Sequence, residues 1–182
     1  MSMQRQSIIL LVINIIGGCA VIGSYLYGFH VHPDRTANLW GGVPKSIMPL
    51  YTASMLAAAI GYLAFTGFIL FFVHPEQAVI AGRFSYRASH WLYAAVLLFS
   101  AFWMPLTFAM IGQPSAGLWA LVRITLAIVG IGSIGLLAAL AALQPASPAW
   151  AYRSALIGCA AFCFQTAVLD ALVWTAYYPF RL

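Results

Sequence analysis

Five long apolar runs dominate this chain and restrict what it can fold into. Each run reaches the roughly 20 residues that an α-helix needs to cross the hydrocarbon core of a bilayer. A backbone in lipid must satisfy its own hydrogen bonds, which leaves helices and closed barrels as spanning structures. The runs lack the alternating pattern of barrel strands. We therefore predict transmembrane helices at residues 8–28, 47–73, 91–111, 118–143 and 150–178.

The composition supports a membrane protein and leaves little sequence for anything else. Hydrophobic residues make up 64% of the 182 and charged residues 6%, against about 25% charged residues in soluble domains. The predicted fold class is all-α, a polytopic transmembrane bundle of five helices. Residues 1–182 are expected to form a single integral membrane domain. The first apolar run continues past Cys19 to full span length, which favours a retained helix over a cleaved signal peptide.

The positive charge of the chain does not predict a nucleic-acid partner. The net charge of +5 arises from eight Lys and Arg residues that are scattered along the sequence and form no patch. In a membrane protein such residues set orientation and meet anionic headgroups. We term the N-terminal side of the membrane side A and the opposite side B. Near the ends of the spans, with Arg123 left out of the count, four Lys or Arg lie on side A and three on side B. The positive-inside rule thus favours a cytoplasmic N-terminus, with the C-terminus on the opposite side.

Short motifs in the chain resemble cofactor sites only in part. The segment GIGSIG at residues 130–135 matches G-x-G-x-x-G, but it lies inside an apolar run rather than between a strand and a helix. The segment HVHPD at residues 30–34 offers two imidazoles and a carboxylate, whereas a closed metal site needs three or four ligands with supporting partners. His74 and His90 are interpreted as interfacial histidines rather than haem ligands. We predict no metal and no cofactor.

Two ionisable side chains lie deep in the predicted spans, Arg123 in the fourth and Asp170 in the fifth. An ionised residue at the bilayer centre costs about 2.5 to 3.5 kcal/mol on insertion scales, so such residues usually find a partner and mark a functional site. At about 1.5 Å per residue their depths differ by roughly 4 to 5 Å, within reach of an arginine side chain. We predict a buried Arg123–Asp170 ion pair, with Gln165 projecting away from the aspartate on an α-helical wheel. The alternative is that Arg123 extends to the side-B headgroups.

Further polar residues are expected near side B, at the same end as the predicted ion pair. Together they form a candidate vestibule under the loop at residues 29–46, consisting of Tyr25, His30, His32, Tyr51 and Tyr177. Pro105 lies inside the third apolar run and is expected to kink that helix.

Three classes of function follow from these features. The first is a non-enzymatic accessory or assembly subunit, or a lipid-contacting protein, in which the Arg123–Asp170 pair fixes helix register. The second is a small oligomeric transporter or channel that uses Asp170 in an ion or proton path. The third is a membrane enzyme that acts on a lipid at side B with His30 or His32 as base. The expected partners are the lipid bilayer and either another membrane protein or further copies of the chain.

Overall fold

The computed structural model describes residues 5–178. Within these residues, five helices are long and apolar enough to cross a membrane, and each coincides with a predicted span. The predicted all-α class is confirmed. These candidate spans, called spans below, are α1 (Arg5–Val31), α2 (Met48–Phe71), α3 (Arg87–Gly112), α4 (Ala116–Ala141) and a composite fifth span at Ala149–Tyr177.

The fifth span changes helix type along its length. It begins as α5 (Ala149–Cys163), continues as a π-helix (Phe164–Trp174) and ends in the short α6 (Thr175–Tyr177). The π-helical stretch contains neither Pro nor Gly, so the usual sequence signals of a helix break are missing. Pro105, where the sequence predicts an irregularity, lies inside α3, and that helix continues to Gly112.

A small antiparallel sheet closes side A. Strands β1 (Val79–Ile80) and β2 (Phe84–Ser85) form a hairpin between α2 and α3. The other edge of β1 pairs with β3 (Leu143–Gln144), which precedes α5. Because the two loops are hydrogen-bonded to each other, both lie on one side of the bundle, as the order of the spans requires.

The spans form a ring in the order α1, α3, α4, fifth span, α2, and a looser contact between α2 and α1 closes it. The closest approach joins Gly61 of α2 to Gly158 of α5, where a Cβ on either residue would collide with the backbone of the other. On α4, Gly130 faces the fifth span, whereas Gly132 lies against Val96 of α3. The glycines of the GIGSIG segment therefore serve two separate helix contacts.

The larger of two buried clusters lies toward side A and is rich in aromatic rings. Its ring centroids are 5.3 to 6.0 Å apart, a spacing typical of favourable aromatic pairs. The Tyr62 hydroxyl donates to Asn14 Oδ1 at 2.5 Å, and the hydroxyls of Thr66 and Tyr93 are hydrogen-bonded at 2.9 Å. Its polar atoms are thus satisfied inside the bundle. We define the aromatic core as Tyr62, Phe65, Tyr93 and Phe162 with the bonded Asn14 and Thr66.

The second buried cluster lies toward side B, where α2, α3, α4 and the fifth span meet the loop after α1. Its fully or nearly buried aromatic members are Tyr51, Trp174 and Tyr178. This cluster packs against the C-terminal half of the π-helical stretch, next to Asp170 in the sequence.

Candidate functional site

Asp170 lies in the π-helical stretch and is hydrogen-bonded to a residue five positions earlier. The amide Nε2 of Gln165 donates to Asp170 Oδ1 at 2.8 Å. On an α-helix, residues five apart project roughly 140° from each other. A π-helix instead repeats its hydrogen bonds every five residues and brings such side chains together. The prediction that Gln165 points away from Asp170 is therefore wrong, because it assumed α-helical geometry.

Arg123 caps the side-B end of the fifth span. Its Nη2 donates to the carbonyl of Thr175 at 2.5 Å and lies 3.5 Å from the carbonyl of Tyr178. The guanidinium carbon stands 3.8 Å from the centre of the Trp119 ring, within the range of a cation–π contact. The last carbonyls of a helix lack intrahelical donors and carry the negative end of its dipole, so they are good acceptors for an arginine.

The predicted ion pair between Arg123 and Asp170 is not formed. Within residues 5–178, one salt bridge has a nitrogen–oxygen distance below 4.0 Å. It joins Asp34 to Arg35 at 3.7 Å on the side-B surface. The depth estimate allowed a contact, but Arg123 extends toward the end of the span, whereas Asp170 is directed toward α1 and α2. Among the described residues, Asp170 is thus a carboxylate within a span that lacks a protein counter-ion.

Tyrosines from two other helices reach the region of Asp170. The Tyr51 hydroxyl donates to the carbonyl of Leu169 at 2.7 Å and so ties α2 to the π-helix. The phenols of Tyr25 on α1 and Tyr51 on α2 both lie close enough to the Asp170 carboxylate to interact with it electrostatically. Two of the five residues of the predicted vestibule are therefore neighbours of Asp170.

Two tryptophans complete these surroundings. The Trp103 ring of α3 lies 5.7 Å from Tyr25 and 5.8 Å from Trp174, centre to centre. Trp174 follows Asp170 by four positions and is buried. The contacts of Trp103 depend on how α3 packs against the other helices, so its place at the site is not readable from the sequence. We define the Asp170 cluster as Tyr25, Tyr51, Trp103, Gln165, Asp170 and Trp174.

The other three predicted vestibule residues have their own surroundings. His30 is exposed in the last turn of α1, and His32 stands 4.9 Å from the ring centre of Phe108. Tyr177 is 44% exposed, and its carbonyl accepts a hydrogen bond from the Gly42 amide at 3.1 Å. In the described part of the chain, no hydrogen bond or ion pair joins either histidine to Asp170. Tyr51 interacts electrostatically with Tyr177 as well as with Asp170, and a vestibule shared by all five residues stays a prediction.

The loop after α1 covers the side-B end of the bundle. It contains a 3-10 helix (Pro33–Trp40), and the carbonyl of Leu39 accepts a hydrogen bond from Trp174 Nε1 at 2.9 Å. Gly41 follows with φ of 53°, and a Cβ there would stand 2.6 Å from the ring of Tyr178. Glycine is suited to both the backbone conformation and the close contact. The loop is thus fitted onto the aromatic residues that border the Asp170 cluster.

Buried polar atoms in the Asp170 cluster lack hydrogen-bond partners. The Gln165 side chain is 4% exposed, and its Oε1 has no donor among the described protein atoms. The indole Nε1 of Trp103 also has no acceptor there. Because a buried polar atom without a partner costs about 1 to 3 kcal/mol, such atoms call for an explanation.

The donor set around Asp170 is that of a single carboxylate with neutral oxygens. Residues 5–178 contain no group of three or more His, Cys, Asp and Glu side chains placed to bind a metal ion. Asp170, Tyr25 and Tyr51 are predicted from the sequence, and helical projection also aligns Trp174 with Asp170, whereas Gln165 and Trp103 are not predicted as neighbours. No protein-family model, no curated protein and no solved structure matches the chain.

Proposed function

We propose that the chain is a small membrane transporter or channel in which Asp170 binds the transported cation or proton. The observation that carries this proposal is the position of Asp170 in a π-helical stretch of a span, without a protein counter-ion in residues 5–178. Ionisable residues inside spans are costly and typically belong to ion or proton paths. Single π-helical turns are likewise frequent at functional sites.

The fifth span supports this role through its irregular backbone. Transport sites are commonly built where a membrane helix departs from regular geometry near a polar side chain. Here the departure coincides with Gln165 and Asp170, whereas the sequence had pointed to Pro105. The register-fixing role that favoured an accessory subunit depended on the Arg123–Asp170 pair. Because that contact is absent, the transport function becomes the leading candidate.

The test is a flux measurement on protein reconstituted into liposomes. We expect flux of a monovalent cation or of protons down an imposed gradient, abolished in Asp170→Asn. Asp34→Asn is the matched control, because it removes the same charge from an exposed ion pair on side B. Flux in Asp170→Asn equal to that of the unaltered protein would contradict the proposal.

An accessory or assembly role is the second candidate, and a property of α1 favours it. In the most apolar window of this helix 11% of residues are buried, against 28 to 44% in the other spans. Much of its surface is therefore left to lipid or to a partner helix. Purification in mild detergent distinguishes the two: an accessory subunit brings stoichiometric membrane partners, whereas a homo-oligomer with bound lipid supports transport.

The orientation in the membrane is also a proposal. A cytoplasmic N-terminus relies on four Lys or Arg at side A against three at side B, one of which, Arg181, lies outside the described residues. Labelling of single cysteines introduced at Gln77 and at Asn38 with an impermeant maleimide in intact cells tests it. We expect labelling at Asn38, in the side-B loop, and protection at Gln77.

A further inference from the structure

The geometry points to a binding site for a dehydrated alkali-metal ion at the Gln165–Asp170 turn, an inference that rests on the proposed transport function and names its substrate class. The ligands that the turn offers are the Asp170 carboxylate and Gln165 Oε1. Both belong to the same π-helical stretch, where Gln165 is buried and Asp170 is half-buried.

Charge balance selects a monovalent ion. Asp170 provides one negative charge, and no Lys, Arg or His nitrogen of residues 5–178 lies within salt-bridge distance of it. One bound monovalent cation neutralises this charge, whereas a divalent ion would leave an excess positive charge in a region of low dielectric constant. The donor atoms are carboxylate and amide oxygens, which are ligands suited to hard cations.

The unpartnered amide oxygen of Gln165 favours a metal ion over a proton. Gln165 Nε2 already donates to Asp170 Oδ1, so the amide is oriented with its oxygen free. With the amide placed so that Nε2 donates to Asp170 Oδ1, a proton on the carboxyl group would leave Gln165 Oε1 without a partner unless the amide turned over to accept from the carboxyl O–H. A metal ion shared by the two side chains satisfies both. Because Gln165 is 4% exposed, solvent outside the bundle does not provide that partner.

The neighbouring aromatic residues limit the size of the ligand. Trp103 lies 5.7 Å from Tyr25 and 5.8 Å from Trp174, and Trp174 is stacked on Tyr178 at 4.2 Å. These contacts fill the side-B flank of the turn with rings and favour an ion over an organic amine. The titratable groups that face Asp170 from the other helices are the phenols of Tyr25 and Tyr51.

The test uses the full chain in detergent and measures the thermal unfolding midpoint in NaCl, KCl and choline chloride at constant pH and ionic strength. A ligand that binds the folded state raises the midpoint in a saturable manner. We expect such a rise with at least one alkali-metal salt relative to choline. It should be lost in Asp170→Asn and retained in the control Asp34→Asn.

Gln165→Met removes the amide oxygen while keeping the size of the side chain, and it tests the second ligand. We expect its apparent affinity for the ion to fall by about ten-fold or more, with Trp fluorescence confirming a folded protein. Equal thermal midpoints in all three salts at every pH would overturn the inference. Asp170 would then be a group that takes protons alone, and a measured proton flux would still support the transport function. Saturable ion binding without any flux would support the ion site and contradict the proposed function.

Discussion

The aromatic core and the Asp170 cluster both place tyrosines between helices, but they differ in hydrogen bonding. Polar side chains are paired with each other in the aromatic core, whereas polar atoms of the Asp170 cluster lack partners. In the aromatic core the hydroxyl of Tyr62 is bonded to Asn14, and that of Tyr93 to Thr66. In the Asp170 cluster a carboxylate has no protein counter-ion in residues 5–178, and the Oε1 of Gln165 has no donor there.

This difference suggests separate roles for the two regions: the aromatic core stabilises the bundle, and the Asp170 cluster serves the proposed function. A fully satisfied polar network fixes one arrangement of helices, whereas an unsatisfied one costs stability and is retained for another reason. The helix type follows the same division. Tyr62 and Tyr93 lie on regular α-helices, while Gln165 and Asp170 lie on the π-helix. Substitutions in the two regions should therefore have effects of opposite sign on stability and of unequal size on ion binding.

The largest effect is expected at the helix contact beneath the aromatic core. Gly61→Leu places a side chain where even a Cβ would stand 2.8 Å from Gly158 Cα. Overpacking typically costs about 1 to 3 kcal/mol and more against backbone, so we expect loss of monodisperse folded protein on size-exclusion chromatography. The control is Gly67→Leu on the same helix, since a Cβ at Gly67 meets nothing within 4 Å. Equal behaviour of the two variants would contradict the packing described for α2 and α5.

Asp170→Asn should stabilise the protein in a buffer without alkali-metal ions. The variant removes a half-buried charge that has no protein counter-ion in residues 5–178, and a charge at the bilayer centre costs about 2.5 to 3.5 kcal/mol. The measurement is the thermal midpoint in choline chloride. Had Asp170 been paired with Arg123, breaking the pair would instead destabilise the protein by roughly 3 to 5 kcal/mol. A lower midpoint than that of the unaltered protein would therefore favour the ion pair.

Arg123→Gln should destabilise the side-B end of the fifth span. The guanidinium bonds the carbonyl of Thr175 and lies over the Trp119 ring, and hydrogen bonds from charged groups contribute about 1.5 to 3 kcal/mol. We expect a lower thermal midpoint with unchanged ion affinity. A change in ion affinity as large as that of Gln165→Met would show that Arg123 acts on the site.

The smallest effects distinguish the tyrosines of the two regions. Tyr93→Phe removes the hydrogen bond to Thr66 in the aromatic core and should cost about 1 kcal/mol with no change in ion binding. Tyr25→Phe, at the Asp170 cluster, should change the apparent ion affinity with little effect on the midpoint. The thermal midpoint and the ion affinity of both variants are measured in the same salt titrations. A change of ion affinity in Tyr93→Phe but not in Tyr25→Phe would contradict the division between the two regions.

The sequence was sufficient to predict the five spans, because span length and apolar composition follow directly from the thickness of the bilayer. It was also sufficient to single out Asp170 as an ionisable residue inside a span. The contact between Gln165 and Asp170 was out of reach, since the run from Phe164 to Trp174 has no Pro or Gly to indicate a π-helix. The hydrogen-bond partners of Arg123 depend on the direction in which its long side chain extends. Depth and helical projection do not determine that direction. The role of Trp103 depended on helix order in the ring.

Carboxyl NMR of aspartate offers the most direct test of the central claim that Asp170 binds an alkali-metal ion because it lacks a protein counter-ion in residues 5–178. The chain contains aspartate only at positions 34 and 170, so protein labelled with carboxyl-¹³C aspartate and carrying Asp34→Asn gives a single signal, that of Asp170. At constant pH and ionic strength, we predict that this signal shifts saturably as NaCl or KCl replaces choline chloride, and that Gln165→Met weakens the response. A signal that is the same in all three salts across the pH range would contradict the claim.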